Sequence, residues 1–217
     1  MRFMGCDVSL NHGALVTIDE VSDEPISYHV YGEKPALAKT MPNHSTRILL
    51  EKGDGQMKDL ARLDFLELLY QKQLSKMTPD YVAIENYAFD ATGRSYQIGE
   101  AGGALRLAAW RRDLSIRLHD PGCVKMYAAW DGHADKGMVC ASVYKRWGLE
   151  WSEHGEVAEG DMADAYVLAR LARTEWQLRT GILTLDMLEH DKERQVFLRT
   201  TKEVPTNILG RDWLQRP

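Results

Sequence analysis

The sequence predicts an α/β fold, a mixed sheet of five strands flanked by helices. Three observations lead there. Three short, mostly apolar stretches open the chain at 2–9, 12–20 and 26–32, joined by short polar connections, which is the pattern of an antiparallel meander. A helix-period segment at 56–77 is followed by the apolar run "YVAIEN", a change from a 3.6-residue period to a buried strand. Helix and strand then alternate, as parallel strands require.

"RFMGCDVS" (2–9) is bounded by polar residues and reads as a buried strand, with "HGALVTIDE" (12–20) and "ISYHVYG" (26–32) as the second and third. Residues 33–55 carry Pro35, Pro42, Gly53 and Gly55 and read as an irregular excursion. Over 56–77, Leu60, Leu63, Leu66, Leu69, Tyr70 and Leu74 recur at helical spacing. "TPD" ends that helix and launches the fourth strand, 81–86. A helix over 95–112 is weakened locally by Gly99, Gly102 and Gly103, which equally allow another backbone to approach. "LSIRLHDP" (114–121) is the fifth strand. Helices over about 134–147 and 161–179 complete a domain at 1–180. Residues 181–217 form a C-terminal extension of unassigned role. The ribonuclease-H-like architecture has this order of elements, and ligands in such sheets sit beyond the carboxyl ends of the parallel strands.

The 217 residues suffice for one sizeable core. No apolar run nears the ~18 residues of a membrane span, and no charged-then-apolar leader opens the chain, so no membrane partner is expected. Cys6, Cys123 and Cys140 are odd in number and lack C-x-x-C spacing, which favours a reducing, cytoplasmic compartment. The net charge of −5 hides an asymmetry. Residues 94–146 hold nine bases and five acids, whereas 147–164 hold six acids and no base. A basic middle beside an acidic stretch fits a phosphate-binding face next to a metal site.

The acids sharpen this. In "GDMADAYVLARLAR" (160–173), Asp161 and Asp164 are three apart and so neighbours on a helix. Leu168 and Leu171 continue the same row toward a core. Paired carboxylates at the inner edge of a buried helix repel each other and resist desolvation. Asp7 near the end of the first strand and Glu85 at the end of the fourth lie on predicted neighbours, and the helix start at Asp161 can pack on that edge. Four carboxylates in one cleft require a cation. Oxygen ligands without a His/Cys cluster point to Mg²⁺, with Mn²⁺ as substitute, rather than Zn²⁺. The helix N-terminus is also expected to favour ionised Asp161.

"GCDVSLNHGALVTID", "PDYVAIENYAF", "QIGEAGGAL", "VKMYAAWDGHADKGMV" and "DMADAYVLARLA" resemble, in order, the signature blocks of RuvC-type Holliday junction resolvases. The resemblance covers roughly residues 2–173. It implies a metal-dependent endonuclease that cuts four-way, and possibly other branched, DNA as a homodimer. Compact resolvases of this kind are frequent in bacteriophages, so a bacterial cytoplasm with a host or phage gene is implied. Asp7, Glu85, Asp161 and Asp164 fall on the family's metal-binding acids. Lys125 and Lys136 fall on its basic residues, which contact phosphate or offset charge at the scissile bond. Tyr87 or Phe89 matches an aromatic that stacks on junction bases, and Arg94 joins these DNA-binding candidates. The glycine-bearing helix 95–112, with Leu105, Leu107, Ala108 and Trp110, is the candidate dimer element; packing on its own sheet is the competing expectation.

Two other readings stay open. A ribonuclease H acting on RNA–DNA hybrids would use an acid on the first long helix, where Glu67 is available. A module that holds junctions without cutting would need no chemistry from the four acids. Neutralising Asp7, Glu85 or Asp161 is expected to abolish cleavage and, by relieving repulsion, to raise the melting temperature without metal.

Overall fold

The computed structural model describes residues 1–32, 46–49, 55–86, 95–152 and 156–202. The five expected strands are β1 (Arg2–Val8), β2 (His12–Asp19), β3 (Ser27–Gly32), β5 (Tyr81–Glu85) and β6 (Ser115–His119). A short strand, β4 (Thr46–Leu49), joins them from within the segment expected to be irregular. It adds to the edge beside β3, so the order is β4-β3-β2-β1-β5-β6. β1, β2 and β3 pair antiparallel, while β1–β5 and β5–β6 are parallel. The parallel register sets Cys6 beside Ile84, so Asp7 and Glu85 leave adjacent strands at the same level.

The helices are α1 (Gln56–Met77), α2 (Ser95–Trp110), α3 (Pro121–Ala129), α4 (Lys136–Trp147), α5 (Glu156–Arg179) and α6 (Asp191–Lys202). α1 and α2 cover one sheet face, burying Leu66, Tyr70, Leu74, Leu105 and Ala108 against Met4, Leu15 and Val82. α5 crosses the other face and buries Ala165, Leu168, Ala169 and Leu171 against Phe3, Val16 and Ala83. Leu168 and Leu171 therefore face the core as expected. None of the described helices is long and apolar enough to cross a membrane.

α5 lies unusually close to β1 because β1 carries Gly5. A Cβ at Gly5 would stand 1.9 Å from the Ala165 carbonyl oxygen and 2.4 Å from the Ala169 nitrogen. Neither atom can move without shifting a helix. Gly5→Ala is therefore expected to destabilise the fold by about 3 kcal/mol, the upper end of overpacking costs, measured by denaturant unfolding.

Three helical boundaries differ from the sequence reading. α5 begins at Glu156, five residues before the expected start, so Asp161 lies in its second turn. The helix-terminus argument for its ionisation therefore fails, since that field fades beyond the first turn. α3 stands where the sequence reading assigns no element, between a fifth strand ending at 121 and a helix starting at about 134, although Asp120 before Pro121 is a start signature with proline at N1. α6 lies in the C-terminal extension, yet Val196 and Phe197 are fully buried and share the main core. Phe197 meets Tyr127 of α3 edge-on at 5.7 Å.

Arg146 of α4 binds this region to the rest. It bonds the Ala128 carbonyl at 3.0 Å and pairs with Glu189 and Glu193. Its guanidinium also lies 4.4 Å from the Trp147 ring centre and 5.2 Å from that of Trp130. Trp130 in turn stacks on His190 at 4.6 Å.

Candidate active site

The ends of β1 and β5 open into a cleft lined by Asp7, Ser9, His12, Glu85, Lys136 and Asp164, with Val8, Ile98 and Pro121 on its apolar side. Asp161 lies beneath, its side chain only 1% exposed. Parallel pairing aligns Asp7 with Glu85, and one turn of α5 separates Asp161 from Asp164. The close seat of α5 on Gly5 carries both aspartates to the strand ends. All four expected acids therefore meet at one place.

Lys136, the first residue of α4, completes the cluster. Its Nζ stands 2.7 Å from Asp161 Oδ1, 3.7 Å from Asp164 Oδ2 and 3.8 Å from Asp7 Oδ2. Asp135 caps α4 by accepting from the Met138 N–H at 2.8 Å, which fixes where the lysine departs. A Cβ at Gly160 would lie 2.9 Å from Lys136 Cδ, so the bare backbone there leaves the lysine its path across α5.

The electrostatics follow. Burial, then Asp161 and Asp164, holds the Asp7 carboxyl well above the usual range. Burial and Asp164 push Glu85 up to about 7, against Lys136 and Lys125. Burial pushes Asp164 up to about 6; Lys136 opposes the rise and Asp161 adds to it. Asp161 behaves differently. Burial works against its charge, yet His12 and Lys136 hold its carboxyl below the ordinary value. Asp7 and Asp161 likewise hold the Lys136 ammonium above its usual range despite the cost of burial. Lys125, on α3, acts on Glu85 and Asp164 through its field.

This donor set suits a hard divalent cation, being all carboxylate oxygen. As placed, no three such groups among the described residues stand close enough to share one ion. The ammonium of Lys136 sits between Asp7, Asp161 and Asp164.

His12 was missed. It begins β2, and its Nδ1 lies 2.6 Å from Asp161 Oδ2. The sequence shows it only as the first residue of the second strand; its place follows from the hairpin turn, where its carbonyl accepts from the Ser9 N–H, two residues beyond Asp7. Glu67, the acid of the hybrid-cutting reading, is corrected by its position. It pairs with Arg111, just past the end of α2, at 2.6 Å and does not line the cleft. Tyr87, Phe89 and Arg94 lie outside the described residues. On α2, Leu105 and Ala108 are buried against the sheet, while Ile98, Leu107 and Trp110 are exposed. α2 therefore packs on its own sheet through one face.

A model of the family "Crossover junction endodeoxyribonuclease RuvC" matches residues 54–170, more than half of the chain. The chain belongs to the RuvC family. The RuvC of Mycolicibacterium smegmatis is 34% identical over 92 residues, 42% of this chain and 48% of that protein. The RuvC of Nocardia farcinica is 37% identical over 92 residues, 42% of this chain and 47% of its own. The chain thus spans about half the length of these two RuvC relatives. The Streptomyces griseus RuvC aligns further, 26% identical over 170 residues, 78% of this chain and 73% of that one. Among solved structures, Thermus thermophilus RuvC superposes with a TM-score of 0.54 at 22% identity, covering 83% of this chain and 97% of its own. The same RuvC solved with a Holliday junction substrate gives 0.53 at 22% identity, covering 78% and 90%. These likenesses establish the ribonuclease-H-like fold.

Proposed function

We propose that this protein is a divalent-metal-dependent endonuclease that resolves Holliday junctions by phosphodiester hydrolysis. One observation carries the reading. Asp7, Asp161 and Asp164 all lie within 3.8 Å of a single ammonium, beside Glu85 at the carboxyl ends of parallel strands. Membership of the RuvC family supports it, as does the Thermus relative's structure with a junction.

In this reading Asp7, Glu85, Asp161 and Asp164 hold Mg²⁺, or Mn²⁺ in its place. Bound there, such ions neutralise charge at the phosphodiester and acidify water. Lys136, about half-exposed on a flexible stem, offers a point charge to a phosphate oxygen. Lys125 serves the approaching backbone. Tyr87 or Phe89 supplies the stacking platform for a base, and Arg94 a phosphate contact. Two copies act as a symmetric dimer, because a junction presents two strands in two-fold arrangement. The exposed Leu107 and Trp110 of α2 are the face assigned to that contact. Cys6, Cys123 and Cys140 form no disulfide, which agrees with work in a bacterial cytoplasm, whether the gene is the host's or a phage's.

The test is cleavage of a labelled four-way junction with Mg²⁺ or Mn²⁺, beside linear duplex and RNA–DNA hybrid. Paired, symmetric nicks in the junction alone are expected. Binding without cutting under either metal would leave a junction-holding module, and cutting of the hybrid alone would make it a ribonuclease H.

A further inference from the structure

The Asp161 carboxylate has two partners of different character. Oδ1 accepts from Lys136 Nζ at 2.7 Å, and Oδ2 accepts from His12 Nδ1 at 2.6 Å. The lysine is a loose partner. Its stem is long and flexible, and its ammonium is shared with Asp7 and Asp164; exposure does not separate the partners, at 53% for the lysine side chain and 45% for that of His12.

His12 is anchored. Its ring is carried on the first residue of β2, paired with Gly32 across the sheet. Its backbone is clamped to Ser9 on both sides. The His12 carbonyl accepts from Ser9 N–H at 3.1 Å and from Ser9 Oγ at 2.7 Å, and the His12 N–H donates to Ser9 Oγ at 3.2 Å. Tyr31 Oη donates to the Ser9 carbonyl at 2.9 Å and lies 3.1 Å from Tyr70 Oη. Arg62, buried under the turn, donates to Asn11 Oδ1. The chain of contacts from the α1 core to the imidazole is continuous.

The terminal torsion of an aspartate is soft and nearly two-fold. A carboxylate held only by a lysine turns with the lysine. A cation entering among Asp7, Asp161 and Asp164 competes with the ammonium on Oδ1, not with the imidazole on Oδ2. The two partners therefore divide the carboxylate into one oxygen that exchanges and one that stays fixed.

We propose that His12 is a positioning residue, which pins Asp161 Oδ2 to the β1–β2 hairpin so that Oδ1 is presented to a metal in one orientation. This rests on the acid cluster being a metal site. Partners that orient a ligating group set metal affinity by about 10–100-fold.

The test is Mn²⁺ uptake by the full chain without DNA, followed by the electron paramagnetic resonance of free Mn²⁺, for wild type, His12→Ala, His12→Asn and Asp164→Asn. The asparagine amide can donate from about the position of Nδ1. His12→Ala is expected to raise the half-saturating Mn²⁺ concentration about tenfold or more, and His12→Asn to restore it to within about threefold. Unchanged uptake in His12→Ala, or a loss in His12→Asn as large as in His12→Ala, overturns the proposal. If Asp164→Asn also binds like wild type, the acids are no metal site and the proposal falls with that reading.

Discussion

Glu85→Gln is expected to lower the cleavage rate of a four-way junction by about a thousandfold or more, equivalent to about 4 kcal/mol of lost transition-state stabilisation. The substitution keeps the shape of the side chain and removes only its charge. Glu85 faces the cleft at the end of β5, level with Asp7 and within the field of Asp164. An amide there offers one oxygen where a carboxylate offers two, and it no longer balances a cation's charge. Junction affinity measured in EDTA is expected to stay within a few-fold of wild type, because removing a negative charge beside a phosphate adds no repulsion. Cleavage retained within tenfold would remove Glu85 from the site.

The same cluster makes the metal-free protein lose stability as pH rises from about 4 to about 7. Glu85 has a folded value of about 7 against an ordinary 4.5, Asp164 about 6 against 3.8, and Asp7 is raised as well. Such acids bind a proton more tightly when folded, so the stability they give is present at low pH and lost through the folded values. Glu85→Gln should match the wild-type melting temperature in EDTA near pH 4 and exceed it above pH 7. The gain expected is roughly 1–3 kcal/mol, or roughly 2–8 °C for a chain of this size. Divalent cation should shrink the difference, since it relieves the same repulsion.

Asp161→Asn should go the other way. Both its oxygens accept from nitrogen, at 2.6 and 2.7 Å, and these partners hold its carboxyl below the usual value despite burial. Its contribution is present above the unfolded value and lost as pH falls. The expectation that all three neutral variants melt higher is therefore corrected for this residue. Equal gains in all three would contradict the pairing of Asp161 with His12 and Lys136.

The sheet was legible because its strands are apolar runs with sharp polar ends, and α1 because its leucines keep one period for 22 residues. The acids were legible because a carboxylate at a strand end, or a pair on a buried helix row, has few structural uses. The start of α5 was not, since Glu156, Val157 and Glu159 are mostly solvent-facing and show no apolar stripe. α6 was obscured for a related reason. Val196 and Phe197 gain meaning only against Tyr127 of α3, which is distant in sequence. Lys136 was placed by resemblance, but nothing local reveals that its ammonium sits among three aspartates. His12 needed the hairpin register and the seat of α5 together.

Arg146 and Lys136 lie near opposite ends of α4, and that geometry makes the helix a lever. With a rise of about 1.5 Å per residue, the two stand about 15 Å apart along the helix. The C-terminal residues hold the far end through Arg146, Glu189 and Glu193, while the near end carries the ammonium. A tilt of about 5° at the held end displaces the lysine by about 1.3 Å over that distance, enough to separate a 2.7 Å contact. The extension past residue 180 thus both fills the main core through Val196 and Phe197 and grips the end of α4 that lies opposite the ammonium.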